Sequence, residues 1–191
     1  RYQHFPQFLS ETFQNYYAFD LRGHGRSGGL RGDTPNFDRM LEDIKEVLVE
    51  IKKQEDPSKE FHLIAHSFGG LLALLLLLKE QKLPFKTAVI SSPLLKIALR
   101  IPRFKKILGE ILARTLPKTQ LTNDINPSFL SHDPAIVEAY VKDRLVQRKM
   151  TPRTYVDLCR SMAWVTAQNG PLAIPTLFLI PGEDKIVDTS Q

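Results

Sequence analysis

"FHLIAHSFGGLLALLLLLK", Phe61 to Lys79, decides how this chain folds. Phe61 to Ala65 is a short apolar run that reads as a strand, and Phe68 to Lys79 is a leucine-rich run that reads as a helix buried on most sides. Between them stands Ala65-His66-Ser67-Phe68-Gly69. Strand, small residue, His-Ser-Phe, glycine, helix is the arrangement of a nucleophile elbow, in which small flanking residues let the chain turn so sharply that the serine stands clear of the sheet. Alanine occupies the first small position and is small enough to fit. The Phe68 backbone N–H, opening the helix, is then placed to donate to a developing oxyanion. The simpler alternative is a serine that merely caps an ordinary helix.

Working outward, "NYYAFD" (Asn15 to Asp20) reads as a strand that breaks into the glycine loop "LRGHGRSGG". Thr34 followed by Pro35 marks a helix start. Phe37, Met40, Leu41, Ile44, Val47, Leu48 and Ile51 then recur at helical spacing. "TAVIS" (Thr87 to Ser91) and "TLFLI" (Thr176 to Ile180) are two further short apolar strands. Apolar strands alternating with helices indicate a parallel sheet covered on both faces. From about Leu94 to Asn169 the chain reads as helices without a strand, with Asp133-Pro134 and Thr151-Pro152 placed as N-cap and first helical residue.

With 191 residues, 42% of them hydrophobic, the chain can bury one sizeable core. The longest leucine block, Leu71 to Leu78, falls far short of the roughly 18 or more apolar residues that span a bilayer. The opening "RYQHFPQFLS" has no methionine start and no apolar leader, so the expectation is a missing native start and no signal peptide. One cysteine, Cys159, excludes an internal disulfide framework and fits a reducing, cytoplasmic setting. The net charge of +5 is concentrated: Lys96 to Lys118 carries +6, and the rest of the chain sums to −1. In that segment Arg100, Arg103, Lys105, Lys106 and Arg114 interleave with Ile101, Phe104, Leu108, Ile111 and Leu112 at helical spacing. The pattern fits either a solvated helix face or a helix that lies on an anionic membrane surface. Nucleic acid is not expected, since the only aromatic there is Phe104 and no binding motif is present.

"AHSFGG" after one strand, "FDLRGHGRS" after the preceding one and "PTLFLIPGEDKIVD" near the end together resemble the serine α/β-hydrolases, in particular the monoacylglycerol lipase and lysophospholipase branch. The resemblance runs over nearly the whole chain, and "RYQHFPQFL" is similar to the segment that follows the His-Gly oxyanion loop in that branch. It implies an α/β-hydrolase fold, incomplete at both ends: core from 1 to 93, a helical cap from 94 to 169, and core again from 170 to 191. It implies a serine esterase acting through an acyl-enzyme on a monoacylglycerol or lysophospholipid, with no cofactor and no metal. Serine as nucleophile argues against the dehalogenase and epoxide-hydrolase branches.

The order serine, acid, histidine is expected in this fold. The family pattern places the acid at Asp184, with Asp188 as the competitor, and its role is to hold a histidine in one tautomer and stabilise the imidazolium. Lys185 to Gln191 contain no histidine, and His24, His62, His66 and His132 are poorly placed. Truncation accounts for this gap and for the missing second oxyanion donor together, so the 191-residue chain by itself is expected to turn over little substrate. A catalytically incompetent relic, or a lipid-binding interaction module, is the reading from another class. Gly23-His24-Gly25-Arg26-Ser27-Gly28 formally matches a dinucleotide fingerprint, but "GLRGDTP" continues the loop where a helix would have to open. His62 and His66 are four apart on a strand and turn without a carboxylate cluster, so a metal site is not expected.

Overall fold

The computed structural model describes residue 2 and residues 4–98, 102–122 and 126–188; Arg100 and Ile101 lie outside the described residues. In chain order the elements are α1 (Phe5–Leu9), α2 (Phe37–Gln54), β1 (Phe61–His66), α3 (Phe68–Lys79), β2 (Phe85–Ser91), α4 (Arg103–Thr115), β3 (Leu121–Thr122), a 3-10 turn (Pro127–Phe129), α5 (Pro134–Lys142), β4 (Lys149–Met150), α6 (Pro152–Thr166) and β5 (Thr176–Leu179). β1, β2 and β5 form a parallel sheet in that order, with β2 central. The register aligns His66, Ser91 and Leu179 across it. All three strands therefore end at one edge.

The core is built around α3. Gly70 to Leu77 are all buried, as a helix apolar on every side requires. It packs against β1, β2, α2 and α6. Phe37, Met40 and Leu41 of α2 and Leu158, Met162 and Val165 of α6 close the same cluster. α6 therefore shares one core with the sheet although its sequence lies within the long helical stretch. Burying this leucine set removes roughly 2 kcal/mol of unfavourable hydration per side chain. β1 has one face open: Phe61, Leu63 and Ala65 turn inward while His62, Ile64 and His66 are exposed. On β5, Leu177, Phe178 and Leu179 are exposed as well. No helix among the described residues is long and apolar enough to cross a membrane.

Three local expectations are corrected. Asn15 to Asp20 joins no sheet; the Asn15 and Tyr17 side chains donate to Glu55 beyond the end of α2, and the Ser27 hydroxyl bonds Asp20 O, so polar tethers hold the segment instead of a strand ladder. α2 starts two residues after Pro35, because Asn36 is the cap that accepts from Arg39 N at 2.8 Å, while Thr34 is fully buried and donates to Asn36 O. Among the described residues, the stretch from 94 to 169 holds one small antiparallel pair, β3 with β4. Both strands are two residues long, too short to leave a periodic signal. Asp133 caps α5 as expected, accepting from Ala135 N.

Thr151 and Pro152 stand at the N-cap and first position of α6 as expected, but the Thr151 side chain makes no capping hydrogen bond. Its hydroxyl donates to Asp33 Oδ1 at 2.7 Å instead. Arg153 grips the same carboxylate through Nε and Nη2, and Thr154 Oγ1 accepts from Thr34 N at 2.9 Å. Asp157 Oδ2 then accepts from Phe37 N at 2.6 Å, satisfying an orphan donor of α2. The first turns of α6 are thus clamped to the loop that leads into α2.

Candidate active site

Ser67 sits between β1 and α3 with φ +53° and ψ −117°, a conformation that costs a non-glycine residue on the order of 1–3 kcal/mol. Its neighbours hold it there. Ser67 N donates to Ser91 O at 2.9 Å, and Ser67 O accepts from Leu94 N at 3.0 Å and Leu71 N at 3.1 Å. The turn after β2 therefore grips the elbow from both sides. Ser92 in that turn also has positive φ, at +42°, and its N–H donates to Leu179 O of β5 at 2.9 Å. The Ser67 side chain makes no capping hydrogen bond. That removes the simple helix-cap alternative, because the hydroxyl is not spent on the helix it precedes.

Phe68 opens α3, and its N–H belongs to the first turn, whose donors have no intrahelical partner. Its ring lies between His24, stacked at 6.0 Å with 28° between planes, and Phe37, edge-on at 5.5 Å and 72°. The glycine loop, whose glycines read as permitting a tight loop near the site, thus touches the elbow directly, through a ring contact that the sequence does not signal.

Asp184 follows β5. Its Oδ1 accepts from Ile186 N at 2.8 Å and Val187 N at 2.9 Å, so the carboxylate is oriented by its own loop. Asp188, the competitor, forms an ion pair with Lys96 at 2.7 Å. Ile97 bridges Val187 in antiparallel sense, with Ala98 N on Ile186 O and Asp188 N on Lys96 O, both at 2.9 Å. Leu94 to Ala98 therefore connects the elbow to the acid loop. Ser67 directly follows β1 and Asp184 lies in the loop after β5, so both leave the same end of the sheet, on strands separated by β2.

The histidines on β1 point elsewhere: His62 Nδ1 pairs with Thr87 Oγ1 at 2.8 Å and His66 Nδ1 with Ser91 Oγ at 3.2 Å. Arg103, Lys105, Lys106 and Arg114 are exposed on α4. Among them stand Phe104, 65% exposed, Ile107, 59%, and Ile111, 52%, while Gly109 packs against the Tyr155 ring on α6.

The family model described as serine aminopeptidase, S33 matches residues 1–191. An uncharacterized abhydrolase domain-containing protein of Dictyostelium discoideum is 35% identical over 152 residues, covering 79% of this chain and 16% of its own length. The monoacylglycerol lipase of Mycolicibacterium smegmatis is 26% identical over 98% of this chain and 66% of its own. The crystal structure of the Paleococcus ferrophilus monoacylglycerol lipase superposes with a TM-score of 0.80 at 27% identity, covering 94% of this chain and 67% of that one. The chain spans no more than about two thirds of the length of these relatives. A strained serine elbow at the edge of a parallel sheet and a family model matched from end to end lead to one conclusion: the chain belongs to the serine aminopeptidase S33 family, within the α/β-hydrolase branch that holds the monoacylglycerol lipases.

Proposed function

We propose that this chain carries the nucleophile and the acid of a serine hydrolase that cleaves the carboxylic ester of a single-acyl lipid, a monoacylglycerol or a lysophospholipid. Ser67 Oγ attacks the carbonyl, the Phe68 N–H holds the oxyanion, the alcohol leaves, and water releases the fatty acid from the acyl-enzyme. Asp184 orients the histidine that serves as base. One observation carries the reading: Ser67 is held at positive φ with its hydroxyl uncommitted to the helix behind it. The similarity to monoacylglycerol lipases supports the substrate class.

Of the stretch 94–169, expected as a cap between core segments 1–93 and 170–191, the part before α6 covers the acyl chain, while α6 itself packs into the core with α2 and α3. In that part α4 docks on anionic membrane, apolar side chains entering the interface and Arg103, Lys105, Lys106 and Arg114 meeting headgroups. Arg100, expected from the sequence on the same segment, lies outside the described residues. In the order serine, acid, histidine, the base follows Asp184. Reading the codons that follow Gln191 tests this: an in-frame histidine within a few tens of residues supports the hydrolase, and a stop codon contradicts it. A fluorophosphonate probe tests the nucleophile directly, with Ser67→Ala as the control.

A further inference from the structure

We propose that His24 is a positioning residue for the oxyanion donor: its ring, stacked on Phe68, fixes the first turn of α3 and so the direction of the Phe68 N–H. The proposal rests on the reading of Ser67 as nucleophile. Phe68 follows the serine directly, so a ring held on two sides anchors the Cα next to the peptide that carries the donor. On one side its ring meets Phe37, only 3% exposed and the first residue of α2. On the other it meets His24, which no helix or strand supports. Both contacts have the edge-on or offset geometry that aromatic rings favour.

The loop is built to keep that imidazole still. His24 Nδ1–H donates to Arg22 O at 2.8 Å, which fixes the tautomer. The flanking Gly23 and Gly25 have φ of +69° and +48°. A methyl group on Gly25 would lie 2.0 Å from Asp20 Cγ, so only glycine lets the Asp20 carboxylate come in to accept from Arg26 N at 2.8 Å. Arg31 Nη1 donates to Gly25 O at 2.7 Å and Arg22 pairs with Asp43 of α2, tying the loop on both sides. Burial is the largest influence on His24 and lowers its pKa below the usual value; the hydrogen bond to Arg22 O opposes it, Arg31 adds to the lowering and Asp20 opposes it least. The ring therefore stays neutral near pH 7. A neutral ring stacks on Phe68 without a desolvated charge.

An oxyanion donor works only when it is held at the position the charge will occupy, so loosening it weakens transition-state binding and leaves substrate binding largely alone. The test is steady-state hydrolysis of a short p-nitrophenyl ester by the full gene product, with kcat normalised to sites titrated by fluorophosphonate so that misfolded protein is not counted. His24→Ala should lower kcat about 10-fold, less than the 10²–10³ for outright loss of a donor, with KM changed less than about 2-fold. His24→Phe, which restores a ring but not the hydrogen bond, should return kcat to within about 3-fold of wild type. An unchanged kcat in His24→Ala overturns the proposal, as does an equal fall in His24→Phe, because the stack is then not what matters. Wild-type turnover by Ser67→Ala overturns the nucleophile reading and this proposal with it, whereas an inactive Ser67→Ala beside a fully active His24→Ala sinks the positioning role alone.

Discussion

A methyl group built on Gly70 would lie 3.0 Å from Pro93 Cα and 3.2 Å from Ile90 Cγ2, whereas one on Gly69 would meet nothing within 4 Å. The motif draws the eye to Gly69, yet the close approach falls on Gly70, because that residue faces the turn leaving β2. No local pattern announces which residue of a helix will meet a distant turn. Thermal unfolding should therefore show Gly70→Ala destabilised by about 1–3 kcal/mol from overpacking. Gly69→Ala should be neutral, or stabilised by up to about 1 kcal/mol through helix propensity. The two candidate acids separate at the same scale. Asp184→Asn keeps an oxygen for the Ile186 and Val187 amides but removes the charge that stabilises an imidazolium, so kcat in the full gene product should fall by about 10⁴ with little loss of stability. Asp188→Asn breaks the partly exposed pair with Lys96, worth under about 1 kcal/mol, and should leave kcat near wild type. The reverse ranking in a kinetic comparison would move the acid to Asp188. Ser67 was legible from its flanks, since small residues between an apolar strand and an apolar helix constrain the turn. The His24 contact was not, because it joins a loop to the first residue of a helix more than 40 residues away in sequence.

At the scale of elements, α6 is secured at its first turn by a polar clamp. Asp33 is 7% exposed and accepts from Thr151 and twice from Arg153. Burial alone would push its carboxyl pKa up; the Arg153 and Thr151 hydrogen bonds and the nearby positive charges outweigh it and hold the pKa below its usual value. A depressed carboxyl stabilises the fold fully above its unfolded pKa of about 4 and loses that contribution as pH falls through the folded value. Asp33→Asn should therefore cost about 2–3 kcal/mol at pH 7, and the gap in melting temperature to wild type should narrow only below about pH 4. A gap that stays constant down to pH 3 would contradict the clamp. The clamp was invisible in "GLRGDTP", which reads as a plain loop, because Asp33 finds its partners about 120 residues later. α4 makes a different prediction. Its basic residues stand beside exposed Phe104, Ile107 and Ile111. At about 1 kcal/mol per basic residue, Lys105→Glu with Lys106→Glu should weaken co-sedimentation with phosphatidylserine vesicles by more than about 10-fold at low salt, without changing binding to neutral vesicles. Equal sedimentation of both proteins would leave α4 as an ordinary solvated face.

For the whole molecule, the alternation of apolar strands with helices and the uniformly apolar α3 make the parallel sheet and its core readable in the sequence, since both depend on local periodicity. What escaped was long-range. Asn15 to Asp20 has strand composition but joins no sheet, and α6, read as one of a run of helices, closes the same core as α2 and α3. Sheet membership depends on a neighbour, and burial depends on what packs opposite; neither is written in a short window. The chemistry hangs on that sheet: parallel strands deliver the elbow and the acid loop to one edge, and Leu94 to Ala98 links them. The central claim is that this edge presents an activated serine. Fluorophosphonate labelling of the full gene product, read by intact-protein mass spectrometry, measures it directly: one adduct that maps to Ser67 and vanishes in Ser67→Ala is the predicted result, and either no adduct on the folded wild type or equal labelling of Ser67→Ala would contradict it.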